Sequence, residues 1–235
     1  MGYKKLIRFA AIKEFPNVLE YPQDMAGRWS EHFRNNHSLT LELACGKGEY
    51  TLGLARLYPD VNFIGVDIKG NRIWVGAKQA RSEGLKNAAF LRSQIELLGT
   101  YFAAGEVSEI WITFPDPQLR TSRAKKRLTH PRFLQLYGEI LQPGGQIHLK
   151  TDSPDLFNFT REVIRLYDLP LETAIEDIKT LGATPELSIK THYESLDIAG
   201  SQKVHYLKFG LADTLKDQTR AAALKDFLAA GVPTP

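Results

Sequence analysis

The chain has 235 residues, 43% of them hydrophobic and 24% charged, enough to bury a full core in one large domain. No apolar run approaches the roughly 20 residues of a membrane span, and Met1-Gly2-Tyr3-Lys4-Lys5 leads into no apolar signal core, so a soluble cytoplasmic protein is expected. A single cysteine, Cys45, excludes an internal disulfide and a cysteine-bound metal, while a net charge of +3 is only a mild pointer to an anionic partner.

Short apolar runs alternate with amphipathic segments of helical length, the pattern of a mostly parallel sheet covered by helices on both faces. Residues 39–44 read as a first strand, 49–58 as a helix, 62–66 as a strand, 71–84 as a helix and 88–91 as a third strand. Residues 107–114 form a fourth strand stopped by Pro115 and Pro117. A helix over 131–141 follows, and Pro143-Gly144-Gly145 turns the chain into a fifth strand over 146–150. Beyond it the sequence predicts a helix over 156–167, strands over 171–178 and 204–211, an irregular stretch between them, and a helical tail over 213–230.

Leu41-Glu42-Leu43-Ala44-Cys45-Gly46-Lys47-Gly48 joins the first strand to the first helix, and its glycines permit a backbone course and a close ligand approach that a β-carbon obstructs. Asp67 ends the next strand, at the roughly 20-residue offset of an acid that bonds ribose hydroxyls. Thr51 stands where a dinucleotide fingerprint wants its last glycine. Glu42 would repel a pyrophosphate but suit a sulfonium and an amino group, so S-adenosylmethionine is the favoured cofactor. Glu42 could instead be a strand-end acid satisfied by backbone amides. Gln94 follows the third strand, where its amide could bond an adenine or be an ordinary loop residue. Cys45 reads as filler in the turn.

Phe114-Pro115-Asp116-Pro117 closes the fourth strand and opens into Arg120, Arg123, Lys125, Lys126 and Arg127, with no further acid until Glu139. One carboxylate beside such a field suggests chemistry on a polyanion, a nucleic acid; the plain alternative is a solvated loop. A second cationic group, Lys4, Lys5, Arg8 and Lys13, lies near the N-terminus. Asp116 could also merely shape a turn between two prolines. Asp152, before Ser153-Pro154, could face a ligand or cap the next helix. Glu194 could pair with Lys190 or Lys203, and His148 within an apolar strand reads as a satisfied core histidine.

In these residues the chain resembles the bacterial tRNA (guanine-N7)-methyltransferases, from about the first strand to the last. The family's glycine turn, Phe-Pro-Asp-Pro, basic run, Gly-Gly strand with Thr-Asp, and late Thr-x-Phe/Tyr-Glu occur in order. Here they are Glu42 to Gly48, Phe114 to Pro117, Arg120 to Arg127, Gly144 to Asp152, and Thr191-His192-Tyr193-Glu194. Ala44 replaces the first glycine of the turn, Gln118-Leu119-Arg120 stands where Trp-Pro-Lys is common, Gln94 replaces a frequent Asn or Asp, and Leu196 stands where a basic residue often follows.

The resemblance implies a Rossmann-like S-adenosylmethionine-dependent methyltransferase α/β fold with a mostly parallel seven-stranded sheet. That domain would span residues 39–212, between a basic N-terminal segment (1–38) and a C-terminal helical tail (213–235). It implies methyl transfer to N7 of the variable-loop guanine of tRNA without a metal, by a monomer or homodimer. It implies that Glu42, Gly46, Gly48, Asp67, Gln94 and Asp116 hold the cofactor and that Asp116 is catalytic. Arg120, Asp152, Thr191, Tyr193 and Glu194 would belong to the substrate side. The rival readings are a methyltransferase for a small acceptor and a non-catalytic tRNA-binding protein.

Overall fold

A computed structural model describes residues 3–180, 184–196 and 203–230, without the side chains of residues 3–6, 193 and 195. In chain order it contains α1 (Tyr3–Ala11), β1 (Val18–Glu20), α2 (Trp29–Phe33), β2 (Ser38–Leu43), α3 (Glu49–Leu57), β3 (Val61–Asp67), α4 (Gly70–Glu83), β4 (Ala88–Arg92), α5 (Leu98–Tyr101) and β5 (Val107–Thr113). There follow α6 (Pro131–Ile140), β6 (Leu141–Thr151), α7 (Pro154–Leu166), β7 (Leu171–Ile175), α8 (His192–Leu196), β8 (His205–Phe209) and α9 (Gln218–Ala230).

The strands form one sheet in the order β1-β4-β3-β2-β5-β6-β8-β7. All neighbours from β1 to β6 are parallel, and β8 runs antiparallel to both β6 and β7. The central strands are buried on both faces, and β2, β3 and β5 accordingly bury polar residues such as Thr40, Glu42, Asn62 and Thr113 among their apolar ones. From β2 the chain winds outward to β3 and β4 on one side and to β5 and β6 on the other. The loops after β2 and β5 therefore diverge, and this switch point leaves a crevice at the carboxyl ends of the strands.

The sheet has eight strands where the sequence predicts seven. The extra one, β1, is only three residues long and pairs parallel with β4, Val18 beside Phe90. Its neighbours in the fold are distant in sequence, so no local periodicity announces it. The first 38 residues also give the core Ile12 and Trp29; the Trp29 indole stacks on Phe102 with centroids 5.2 Å apart and donates to the Tyr101 carbonyl at 2.8 Å. Strand β6 is longer than predicted because Leu141 already pairs with Val107 across a bulge, with Pro143-Gly144-Gly145 inside the strand rather than before it.

Helix starts near the crevice carry local signals. Pro154 opens α7 behind Ser153, whose hydroxyl accepts from Leu156 N at 3.3 Å. Pro131 opens α6 behind His130, whose Nδ1 accepts from Arg132 N at 3.2 Å. At the far end α9 buries Leu224, and its Arg220 meets Asp168 at 2.6 Å.

Candidate active site

Three residues in five hold left-handed backbone in the turn after β2: Ala44 (φ 57), Gly46 (φ 58) and Gly48 (φ 74). A β-carbon on Gly48 would lie 2.4 Å from the Phe90 ring, and one on Gly76 would lie 2.4 Å from the Lys47 carbonyl, so the turn is pressed against both β4 and α4. Asp67, at the end of β3, closes the arrangement. Its Oδ2 accepts from Gly46 N at 3.0 Å and its Oδ1 from Lys69 N at 2.7 Å. Cys45 is buried in the turn, and burial pushes its thiol well above the usual range, which leaves it an inert filler.

Glu42 is buried beneath this turn. Its Oε1 accepts from the Thr113 hydroxyl at 2.6 Å, and its Oε2 accepts from Thr51 N at 2.8 Å and from the Thr51 hydroxyl. Burial raises its pKa to about 7, with the hydrogen bonds from Thr113 and Thr51 pulling the other way. Both oxygens are thus engaged by the protein, and Glu42 braces β2, α3 and β5 under the crevice floor.

Two lobes of cavity, of about 730 and 340 Å³, meet at Ala44, Asp67 and Ile68. The smaller has an apolar lining of Ile95, Leu128 and Phe133 with Gln94 and Ser93 beside it. The larger is lined by the Phe114–Pro117 corner and by Asp152, Ser153 and Asp155, with Lys69 and Arg72 opposite. Four carboxylates, Asp67, Asp116, Asp152 and Asp155, therefore share one lobe with two cations. This donor set fits a molecule with a flat heteroaromatic ring at one end, a diol at the middle and positive charge at the other end. S-adenosylmethionine has that layout.

The corner is locally strained. Phe114 (φ 45) and Gln118 (φ 48) both hold left-handed backbone on either side of the two prolines. Asp116 is exposed, and its Oδ1 accepts from Gln118 N at 3.0 Å in an Asx-turn that fixes the corner. Asp152 lines the cavity, and the neighbouring Ser153 takes the capping role at α7.

Other predicted residues lie differently. Arg120 is exposed at the outer edge, before the 3-10 turn Thr121–Lys126, and lines neither lobe. Thr191 is buried, and its hydroxyl accepts from Glu194 N at 3.1 Å. Glu194 pairs with Lys150, Nζ to Oε2 3.0 Å, rather than with Lys190 or Lys203. The Tyr193 side chain lies outside the described residues. His148 is a core histidine: it stacks on Trp111 at 4.0 Å and shares a 2.8 Å hydrogen bond between Nδ1 and the Tyr206 hydroxyl.

The basic run divides in two. Arg120, Arg123, Lys125 and Lys126 are exposed, and Lys126 borders the smaller lobe. Arg127 is 2% exposed. Its Nε donates to the Pro117 carbonyl at 3.1 Å and its Nη2 to the Gln118 carbonyl at 3.2 Å, while the guanidinium sits 4.5 Å from the Phe159 ring. Arg127 therefore ties the acidic corner to α7 instead of facing a phosphate.

Sequence reasoning missed Ile68, Lys69, Arg72 and Asp155 as lining residues, and it missed Lys150. For Lys150 a signal existed: a lysine within the apolar strand segment Ile147-His148-Leu149-Lys150 has to find acceptors in the interior. A separate cavity of about 570 Å³ opens at the opposite, amino-terminal ends of β2 and β5, beside Ser38, Thr40, Ser108 and Glu109. Parallel sheets of this kind bind ligands at the other end. Among the described residues no cluster of three or more His, Cys, Asp or Glu side chains could hold a metal ion, and no helix is long and apolar enough to cross a membrane.

A family model described as "Putative methyltransferase" matches residues 36–207. The tRNA (guanine-N(7)-)-methyltransferase of Bacteroides thetaiotaomicron is 48% identical over 221 residues, covering 90% of this chain and 87% of the relative. The enzyme of the same name from Porphyromonas gingivalis is 46% identical over 215 residues, covering 86% and 87%. Among solved structures, an antibiotic-related methyltransferase superposes with a TM-score of 0.60 at 14% identity over 79% of this chain and 94% of that one. The 16S rRNA methyltransferase KamB superposes with a TM-score of 0.58 at 16% identity over 83% and 99%. These distant structures share the α/β architecture alone. The level of identity to the curated relatives, sustained over 86–90% of the chain, is decisive: the chain belongs to the tRNA (guanine-N7)-methyltransferase family.

Proposed function

We propose that this chain transfers a methyl group from S-adenosylmethionine to N7 of the variable-loop guanine of tRNA, in the cytoplasm. The observation that carries the reading is the placement of Asp67 at the junction of the two lobes, with Gln94 in one and Asp116 and Asp152 in the other. Gln94 and the apolar residues beside it take the adenine, Asp67 the ribose hydroxyls, and the carboxylates of the larger lobe the charged end. Gly46 and Gly48 shape the turn that lets the cofactor approach the backbone, and Glu42 supports that turn from below through Thr51 and Thr113. When bound, the cofactor supplies an electrophilic methyl group on a sulfonium.

Guanine N7 carries a lone pair and no proton at neutral pH, so the chain needs no general base. Placement is the main contribution, and in favourable systems it removes roughly 7 to 11 kcal/mol of barrier. Asp116 lies at the mouth, where its negative charge favours the cationic ring formed on methylation. Asp152 and the second oxygen of Glu194 accept from guanine N1-H and the exocyclic amine, which selects guanine over adenine. Thr191 holds the segment that carries Glu194, and Tyr193 belongs to the substrate side. Arg120, Arg123, Lys125 and Lys126 grip phosphates, a contribution that falls with salt and carries little sequence information. The target base sits in a folded region and must leave its stack to enter the lobe.

The test is incubation of the protein with methyl-labelled S-adenosylmethionine and unmodified tRNA, followed by chemical cleavage at 7-methylguanosine. Label confined to one variable-loop guanine supports the reading. Label on small acceptors without RNA, or no transfer at all, ends it.

A further inference from the structure

We infer that Lys150 is a positioning residue: it sets the late Thr191-to-Glu194 segment and the Phe114-to-Asp116 corner in one frame, so that the substrate-side and cofactor-side acids keep a fixed relation. The inference rests on the site assignment above and adds to it a residue that touches neither ligand.

The Lys150 side chain is completely buried near the end of β6. An ammonium has three donors, and here all three are used: Nζ donates to the Leu187 carbonyl at 2.9 Å, the Ile189 carbonyl at 2.8 Å and Glu194 Oε2 at 3.0 Å. Two of these acceptors are backbone groups of an irregular loop that has no sheet or long helix to hold it. The other end of the same residue reaches the corner. The Lys150 carbonyl accepts from Phe114 N at 2.8 Å, and Phe114 is the left-handed residue that launches Pro115 and Asp116. The Phe114 and Tyr50 rings lie 5.5 and 5.3 Å from Nζ, and the Tyr50 hydroxyl donates to the Glu186 carbonyl at 2.7 Å, a second tie on the same loop. One residue thus ties the late loop to the Phe114 corner that lines the larger lobe.

Stability alone does not account for this arrangement. Burial lowers the Lys150 pKa, opposed by Glu194, and a buried ion pair is often replaceable by apolar or neutral groups without loss of stability. What a neutral pair would lose is the hold on the Leu187 and Ile189 carbonyls. That loss moves Glu194 relative to Asp116, and a displacement of about 1 Å in such a site costs on the order of a hundredfold in rate.

The experiment compares Lys150→Met, Glu194→Gln and the double variant in the full chain, reading melting temperature, hydrogen exchange, tRNA turnover and affinity for S-adenosylhomocysteine. Lys150→Met is expected to melt lower than wild type, because it strands a buried carboxylate. The double variant regains the melting temperature of Glu194→Gln yet has a kcat/KM for tRNA at least about tenfold below it. Its affinity for S-adenosylhomocysteine stays within about threefold of wild type, since Asp67 and Gln94 are untouched. Exchange at residues 187–194 rises together with that of the Phe114 and Asp116 amides, through loss of the ammonium over the Phe114 ring, since the Lys150 main-chain carbonyl is kept. Equal kcat/KM in the double variant and Glu194→Gln, or faster exchange in the loop alone, overturns the inference. Failure of wild type to methylate tRNA would instead strike the assigned function, and the exchange result would still decide whether Lys150 joins the loop to the corner.

Discussion

The Thr113 hydroxyl at the end of β5 donates to Glu42 at the end of β2 across 2.6 Å, so the switch point of the sheet is bridged by a buried carboxylate just below the crevice. This acid has its pKa raised from 4.5 to about 7 by burial. On unfolding it gives up its proton more readily than in the native state. The stabilisation that results is complete below the unfolded value of 4.5 and is lost as pH rises through about 7.

Glu42→Gln keeps the shape and removes the titration. The difference in unfolding free energy between this variant and wild type should grow in the variant's favour by about 3 kcal/mol between acid and slightly alkaline pH. Urea denaturation across that range measures it. Parallel curves for the two proteins would contradict the assigned titration.

Ala44 holds a left-handed backbone in the glycine turn, at φ 57. Such a conformation costs a residue with a β-carbon roughly 1 to 2 kcal/mol, and glycine returns part of that through the entropy of its unfolded chain. Ala44→Gly should therefore be neutral or more stable by up to about 1 kcal/mol, and Ala44→Val less stable, when both are titrated with urea. Alanine is accommodated at this position because it lines the open junction of the two lobes.

Arg127 and its basic neighbours should separate by salt. Neutralising Lys125 and Lys126, both exposed, is expected to weaken tRNA binding and make its salt dependence shallower. Arg127→Lys loses the fork to the Pro117 and Gln118 carbonyls, should destabilise by about 1 to 3 kcal/mol, and should leave the salt slope unchanged. Binding measured at several salt concentrations, alongside thermal melts, distinguishes the two classes.

Asp116→Asn keeps an oxygen for the Asx-turn to Gln118 N and removes only charge. Single-turnover methyl transfer should fall by about a hundredfold with the melting temperature unchanged. Asp116→Ala should lose the turn as well and fall further. Wild-type turnover in Asp116→Asn would remove the carboxylate from the mechanism.

The sheet was legible at β2, β3 and β5, because short segments rich in Leu, Ile, Val and aromatic residues alternate there with helix-length amphipathic segments and glycine or proline turns. Strand β1 was not, since Val18, Leu19 and Glu20 are held by pairing with β4 rather than by any periodicity of their own. The site divides along the same line. Asp67, Gln94, Asp116 and Asp152 stand at strand ends or in turns and do line the crevice, because topology puts every such position there. Glu42, Glu194 and Arg127 carry equally suggestive chemistry, yet each is drawn to a partner inside the protein nine or more residues away, and Thr191 is occupied by the Glu194 amide three residues on. Lys150 shows the converse: its place in an apolar strand was visible, but the acceptors that give it meaning come from a loop some forty residues later.

The most direct test is a crystal structure of the chain with S-adenosylhomocysteine. The ligand should span the two lobes, with its ribose on Asp67, its adenine beside Gln94 and its amino-acid end within reach of Asp116. A ligand seated in the cavity at the opposite ends of the strands, or an Asp116 turned away from a ligand bound in the crevice, would contradict the account.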